Sequence, residues 1–118
     1  MIHTFELPDI LHDKLPEMSN DDARLKPLLR VFATINCFTD FTAKAVQEHH
    51  YLLAGRCFLL ADMMYKNGDR IIRSLIKHSF IPTLPSFMPS EDREKTFIKS
   101  LIPVSLYQLY EQELEDTQ

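Results

Sequence analysis

The chain has 118 residues, enough for one domain, and its 45% hydrophobic and 25% charged residues are ordinary values for a globular protein. The formal net charge of −4 argues against general affinity for nucleic acid or for anionic lipid. Because only two residues are glycine, the composition favours helices, and we predict an all-α, single-domain bundle of about five to six helices over residues 1–118.

The N-terminal stretch, the apolar runs and the cysteines indicate the cellular compartment. The N-terminal stretch has early acidic residues and no apolar run of signal-peptide length, so we expect a cytoplasmic protein. No segment reaches the ~18 consecutive apolar residues of a membrane span, so we expect no membrane contact. Cys37 and Cys57 lie in apolar helical segments, and we expect both to stay reduced thiols.

An N-terminal arm and one long helix are predicted for the first part of the chain. The arm, residues 1–20, contains a short helix over residues 8–14. The long helix starts either at the capping residues 19–22 or at Pro27. It ends near residues 48–50, where apolar residues no longer recur every three or four positions. Positions three or four residues apart predict its buried face: Leu28, Phe32, Ile35, Phe38, Phe41, Thr42 and Ala45.

Residues 51–66 form the most apolar predicted helix. Hydrophobic side chains occupy almost its whole circumference, which is typical of a helix buried between neighbouring helices. Asp62 and Lys66, an i,i+4 pair, are expected on the narrow solvated strip. Gly68 is expected to close the helix in the left-handed conformation, and Asp69 to cap the helix that follows.

The next predicted helix, residues 69–80, is amphipathic. Opposite its apolar side it carries a basic stripe, Arg70, Arg73 and Lys77, at positions i, i+3 and i+7. Such a stripe is commonly the solvated side of a helix, and it also suits contact with an acidic protein, a phosphate or RNA.

Prolines at positions 82, 85 and 89 predict a stiff crossover without regular helix over residues 82–89. The apolar side chains of Leu84, Phe87 and Met88 either cap the body of the domain or present a surface to a partner. The second alternative is open because side chains on a stiff loop lose little entropy on binding.

Two further helices complete the predicted bundle. Ser90 is expected to cap the first of them, which ends near Leu101. Pro103 opens the last helix, residues 104–114, and residues 115–118 are expected to fray.

The pattern F-x2-F-T-x2-A at residues 38–45, followed by A-x3-F at residues 54–58, resembles a tetratricopeptide unit. The resemblance covers residues 35–68 and implies an antiparallel helix hairpin. Thr42 stands where the repeat has glycine, Lys66 stands where it has the closing proline, and there is no second copy. The resemblance therefore implies the packing of a hairpin and no repeat array.

A longer series of motifs resembles a small bacterial family of unknown function. The motifs are C-F-x-L-A-x3-Y-x2-G-D at residues 57–69, a helix over residues 72–80, and P-x-S-L-Y at residues 103–107. The resemblance covers most of residues 30–112. It implies the helical fold and assigns no activity, cofactor or catalytic residue.

Few residues offer reactive chemistry. His49 and His50 are adjacent, and adjacent histidines on a turn rarely point at one metal ion. Cys57 lies on the apolar stripe, whereas a reactive thiolate needs an exposed, electropositive setting. We therefore predict no metal, no cofactor and no catalytic residue.

We interpret the sequence as a non-enzymatic protein–protein interaction module, such as an adaptor, inhibitor or immunity-type protein, which binds another protein and leaves homodimer formation open. The alternative is a small-molecule or metal-dependent regulator or enzyme with a pocket between helices, and weak RNA binding is a third hypothesis. The candidate partner surface joins the basic stripe and the crossover: Arg70, Arg73, Lys77, Leu84, Phe87 and Met88.

Overall fold

A computed structural model describes residues 1–18 and 24–116 of the chain. These residues are mostly helical. A 3-10 turn, Thr4–Glu6, leads into α1, Leu7–Lys14; α2 spans Pro27–Gln47 and α3 spans Tyr51–Asn67. The helix α4, Arg70–Leu75, continues through a π-helical turn, Ile76–Phe80, and a 3-10 turn, Ile81–Thr83, into the single-turn helix α5, Leu84–Phe87. The last helices are α6, Asp92–Leu101, and α7, Val104–Asp116. The all-α prediction with about six helices is confirmed.

The long helix α2 begins at Pro27, one of its two predicted starts. The other candidate start, residues 19–22, lies outside the described residues. The predicted buried face is wrong at Leu28 and Phe32, which are 44% and 38% exposed, while Val31 is fully buried.

Three threonine side chains occupy the buried face of α2 at little energetic cost. The hydroxyls of Thr34, Thr39 and Thr42 donate hydrogen bonds to carbonyl oxygens one turn earlier, at distances of 2.8, 2.8 and 2.9 Å. A buried hydroxyl that is paired in this way carries no desolvation penalty for an unmade bond. The packed face of α2 therefore includes three threonines, of which the predicted face contained only Thr42.

The apolar helix α3 lies at the centre of the core, but its predicted burial on nearly all sides is wrong at Leu52 and Leu59, which are 91% and 62% exposed. It packs on α2 after the turn at residues 48–50, which the sequence placed correctly. Its most buried side chains contact neighbours on several sides: Ala54, Cys57, Phe58, Ala61 and Met64. Asp62 pairs with Lys66 at 3.2 Å but is only 13% exposed, so its predicted place on the solvated strip is wrong.

The end of α3 differs from the prediction at Gly68. Its φ of −74° and ψ of 158° are extended, so glycine is not needed for a left-handed conformation. Instead, a Cβ atom at this position would lie 2.3 Å from the Met64 carbonyl oxygen, closer than any real contact. The Ile72 side chain fills the same space, 2.5 Å from that Cβ position, while Ile2 of the N-terminal arm forms a β-bridge with Gly68. Among residues 1–18 and 24–116, the left-handed backbone conformation occurs at His49, with a φ of 63°.

The proline-rich segment is helical through Phe87, in contrast to the predicted crossover over residues 82–89. Pro82 and Pro85 each lie in the first turn of a short helical piece. Proline is accepted there because the N–H it lacks would have no partner within the helix. Leu84 and Phe87 are buried, so they cap the body of the domain.

The remaining helix ends differ in detail. Glu91, not Ser90, caps α6: its carboxylate accepts hydrogen bonds from the N–H groups of Arg93 and Glu94 at 3.1 and 3.0 Å. The last helix runs past its predicted end to Asp116, and residues 117–118 of the tail predicted to fray lie outside the described residues. No described helix combines the length and hydrophobicity that a bilayer crossing needs.

Candidate functional site

A groove with a volume of about 470 Å³ lies beside the junction of α3 and α4. We call it the basic groove, and its side chains come from both helices and from the π-helical turn: Tyr65, Asp69, Arg70, Arg73, Ser74, Lys77 and His78. Gly68 and Met1 lie at its edge.

The predicted basic stripe forms one wall of this groove. Asp69 starts α4 as predicted, since its carboxylate accepts a hydrogen bond from the Ile72 N–H at 3.1 Å. The helix and the π-helical turn after it then display Arg70, Arg73 and Lys77, all three of them exposed. Within the described part of the chain, none of these three cations has a carboxylate within ion-pair distance. Their charge is available to a ligand.

An aromatic ring holds one of the cations in place. The Arg73 guanidinium lies over the Tyr65 ring, 5.4 Å from its centroid. A cation–π contact at this distance is favourable and restricts the long arginine side chain. Tyr65 belongs to the last turn of α3, so this contact also ties the two walls of the groove together.

The π-helical turn adds His78 to the groove. In an unbroken α-helix, a residue five positions after Arg73 lies about 140° around the axis and so faces elsewhere. The π-helical turn pairs residues five apart and brings such residues towards the same side. Ile76–Phe80 adopts this geometry, and His78 therefore lines the same groove as Arg73 and Lys77.

Asp69 is the one carboxylate among the described residues that line the groove, and the fold already uses it. Its Oδ2 accepts hydrogen bonds from the N–H and the hydroxyl of Thr4, both at 2.7 Å. Burial raises the pKa of Asp69, but the hydrogen bonds from Thr4 and from the Ile72 N–H outweigh burial and hold the pKa below its usual value. The carboxylate therefore secures the N-terminal arm against the groove.

The predicted partner surface separates into two parts. Arg70, Arg73 and Lys77 lie together in the basic groove. Leu84 and Phe87 are buried, and Met88 is half-buried beside a different cleft, so the crossover residues form no surface with the stripe. Of the two alternatives that the sequence left open for the crossover, capping the body of the domain applies to Leu84 and Phe87, and a partner surface does not.

The sequence reasoning missed the contribution of Tyr65 and His78 to the groove. Tyr65 precedes Arg73 by eight residues across a change of helix, so no periodicity rule relates them. His78 joins the groove because of the π-helical turn, which leaves no clear signal in the residue pattern. The sign of this surface in the sequence is the amphipathic pattern of residues 69–80 with its three cations.

A second cleft, of about 290 Å³, lies between the turn at residues 48–50 and the segment 86–94. His49 Nδ1 contacts a Glu94 carboxylate oxygen and lies 3.1 Å from the Tyr51 hydroxyl. That hydroxyl donates to the same Glu94 oxygen at 2.9 Å, and burial followed by this hydrogen bond raises the pKa of Tyr51. The Tyr51 ring meets Phe97 edge-on, with centroids 4.9 Å apart.

The other residues considered for chemistry do not join this cluster. His50 points to Glu48, with its Nε2 3.6 Å from a carboxylate oxygen, so the two adjacent histidines do not converge. Burial raises the pKa of the Cys57 thiol, against the smaller effect of its hydrogen bond with Thr42. Over residues 1–18 and 24–116, no group of three His, Cys, Asp or Glu side chains could hold a metal ion.

Comparison with known protein families adds one match. The model of a domain of unknown function, DUF7674, matches residues 8–117, which include every groove residue except Met1. The chain belongs to the DUF7674 family. No curated protein and no solved structure matches this DUF7674 domain. The expected resemblance to a helical family of unknown function is confirmed at that level, while the bacterial origin and the tetratricopeptide likeness stay predictions.

Proposed function

We propose that this DUF7674 domain is a non-enzymatic protein-interaction module that receives an acidic segment of another protein in the basic groove. One observation carries the proposal: Arg70, Arg73 and Lys77 line a single groove and have no carboxylate partner within the described residues. The fold does not need this cluster of cations for its stability, because charges at a protein surface contribute little to the free energy of folding.

The charge of the rest of the chain favours a short ligand. The whole sequence has a formal net charge of −4, so the groove is a local basic area on an acidic protein. A long polyanion such as RNA would be repelled over much of its length, whereas a short acidic segment can engage the groove alone. We therefore prefer a protein partner to nucleic acid.

The reactive residues support a role without catalysis. Cys57 is buried with a raised pKa, which favours the inert thiol over the thiolate. His49 is engaged by Glu94 and Tyr51. An adaptor, an inhibitor or an immunity-type protein in a bacterial cytoplasm would need the groove and no reaction chemistry. In this proposal the α2–α3 hairpin, with its tetratricopeptide-like spacing, is the scaffold that holds Tyr65.

The test compares two double variants of equal charge. Arg73→Glu with Lys77→Glu reverses the groove, and Lys44→Glu with Lys99→Glu makes the same change at cations outside it. A partner captured by the wild-type chain is purified, and its affinity is measured by calorimetry at low and at moderate salt. We expect the groove variant to bind at least about tenfold more weakly and the control to bind nearly as the wild type does. Equal loss in both variants, or no loss in either, would reject the groove as the binding site.

The cleft at His49 favours a second candidate function, a small-molecule or metal-dependent regulator. The observation is the convergence of His49, Tyr51 and Glu94 at the edge of an open cleft. Elemental analysis of the purified chain, with melting curves in the presence of zinc and of small-molecule libraries, tests it. A metal-free protein whose melting temperature no ligand raises would remove this candidate.

A further inference from the structure

The lining of the basic groove offers more hydrogen-bond donors than one carboxylate can accept. Each guanidinium, those of Arg70 and Arg73, carries five N–H donors, the Lys77 ammonium carries three, and the Ser74 hydroxyl adds one. A carboxylate accepts through two oxygens. A phosphoryl group accepts through three terminal oxygens and carries a charge of about −1.5 to −2 at neutral pH. The donor set thus suits the phosphoryl group better.

The charge of the groove side chains leads to the same ligand. Arg70, Arg73 and Lys77 are the basic side chains of the groove, and Asp69 is the opposing carboxylate. The described side chains therefore leave about two net positive charges with His78 neutral, which matches a phosphoryl dianion and exceeds a single carboxylate. Asp69 directs its oxygens to Thr4 and Ile72, so they do not accept bonds from the groove cations.

The geometry prepares the central cation for a branched anion. Arg73 rests on Tyr65, so its planar N–H fork is held before any ligand arrives. A planar fork binds two oxygens of one phosphoryl group side by side, which a lysine ammonium cannot do. Arg70 and Lys77 lie about 10 Å apart along the helix axis, with Arg73 between them, so their flexible side chains can converge on the same point.

We propose that the basic groove binds a phosphorylated serine or threonine side chain in the acidic segment of the partner protein. In this arrangement Arg73 donates hydrogen bonds to two phosphoryl oxygens, and Ser74 donates one from its hydroxyl. Arg70 and Lys77 neutralise the phosphoryl charge from either side. The proposal rests on the proposed function of the groove and names the chemistry that it recognises. The volume of about 470 Å³ also lies within the range of small-ligand sites.

The experiment uses the full chain labelled with ¹⁵N and two kinds of probe. The first is inorganic phosphate, compared with chloride at the same ionic strength. The second is a set of three acidic peptides that differ at one central position, which is phosphoserine, glutamate or serine. We expect phosphate to shift the amide signals of residues 68–78 in NMR spectra. We expect the phosphoserine peptide to bind about tenfold tighter than the glutamate peptide, as measured by fluorescence anisotropy.

A charge-preserving pair of variants tests the role of the guanidinium. Arg73→Lys keeps the charge and the helix propensity but loses the fork, and Arg93→Lys makes the same change on α6 as the control. We expect Arg73→Lys to remove most of the preference for phosphoserine while the weak binding of the serine peptide changes little. The control should retain the full preference. Melting curves of both variants confirm that they fold.

The outcomes separate this inference from the proposed function. If the glutamate and phosphoserine peptides bind equally, phosphoryl recognition is overturned and the acidic-segment proposal stands. If none of the peptides binds and phosphate moves no groove signal, both proposals fail. Shifts centred on residues outside the groove, or a preference for phosphoserine that survives Arg73→Lys, would overturn the assigned site.

Discussion

The two open sites of the molecule differ in how their polar groups are used. In the cleft near the turn at residues 48–50, His49, Tyr51 and Glu94 are hydrogen-bonded to one another. In the basic groove, Arg70 and Lys77 have no partner within the described residues. A ligand in the cleft must break existing bonds, whereas a ligand in the groove forms new ones. The difference indicates that the cleft is mainly structural and the groove is the better binding site.

The largest effect is expected at the floor of the cleft. Phe87 lines the cleft yet is only 6% exposed, because most of its ring lies in the core. Phe87→Ala should lower the free energy of unfolding by about 3–5 kcal/mol, as truncations of buried aromatic residues do. Urea denaturation followed by circular dichroism measures the change.

Met88 provides the control for this substitution. It lines the same cleft and is half-buried, so Met88→Ala should destabilise the domain less than Phe87→Ala does. Loss of less than about 1 kcal/mol in Phe87→Ala would contradict the structural role of the cleft and would return Phe87 to the candidate partner surface.

Features governed by local chemistry were predictable from the sequence. Pro27 can begin a helix because the N–H that it lacks has no use there, and the Asp69 side chain can cap α4 without help from distant residues. The basic stripe was likewise visible, because i, i+3 and i+7 positions share a face in any helix. For the candidate site, this means that the sequence identified the three cations and nothing of the surface that surrounds them.

The features that failed depend on which element packs where. Gly68 is needed because a Cβ there would meet the Met64 carbonyl oxygen and the Ile72 side chain, which no turn rule anticipates. The proline-rich segment could be a loop or a helix, and burial of Leu84 decided between them. Leu28 and Phe32 continue the apolar pattern of α2 but lie outside its packed face, where Val31 is buried. In each case the packing of the elements, and not the residue pattern alone, determined the outcome.

A smaller effect, with opposite signs on stability and binding, is expected for Asp69→Asn. The substitution weakens the hydrogen bonds that Thr4 donates and should cost about 1 kcal/mol of stability at pH 7. It also removes the one negative side chain among the described groove residues, so acidic peptides should bind more tightly. Chemical denaturation and anisotropy measure the two effects.

The pH dependence sharpens the test of Asp69. Its pKa in the folded chain is below the ordinary value of 3.8, so its stabilising effect is complete above pH 3.8 and is lost as the pH falls through the folded pKa. The difference in stability between the wild type and Asp69→Asn should therefore shrink below pH 3.8. The surface variant Asp9→Asn, which loses an exposed pair with Arg30, is the control. A difference that stayed constant down to pH 2 would show that the carboxylate charge contributes nothing.

The smallest effect on stability, and the most specific effect on the groove, is expected at Tyr65. Tyr65→Phe keeps a ring beneath the Arg73 guanidinium, whereas Tyr65→Leu removes the cation–π contact and keeps an apolar side chain. Because such a contact at a partly exposed site contributes about 0.5–1 kcal/mol, Tyr65→Leu should weaken binding of an acidic peptide by a few-fold. Tyr65→Phe should bind nearly as the wild type does. Equal affinities for all three chains would show that Arg73 needs no support from the ring, and the groove would then act through net charge alone.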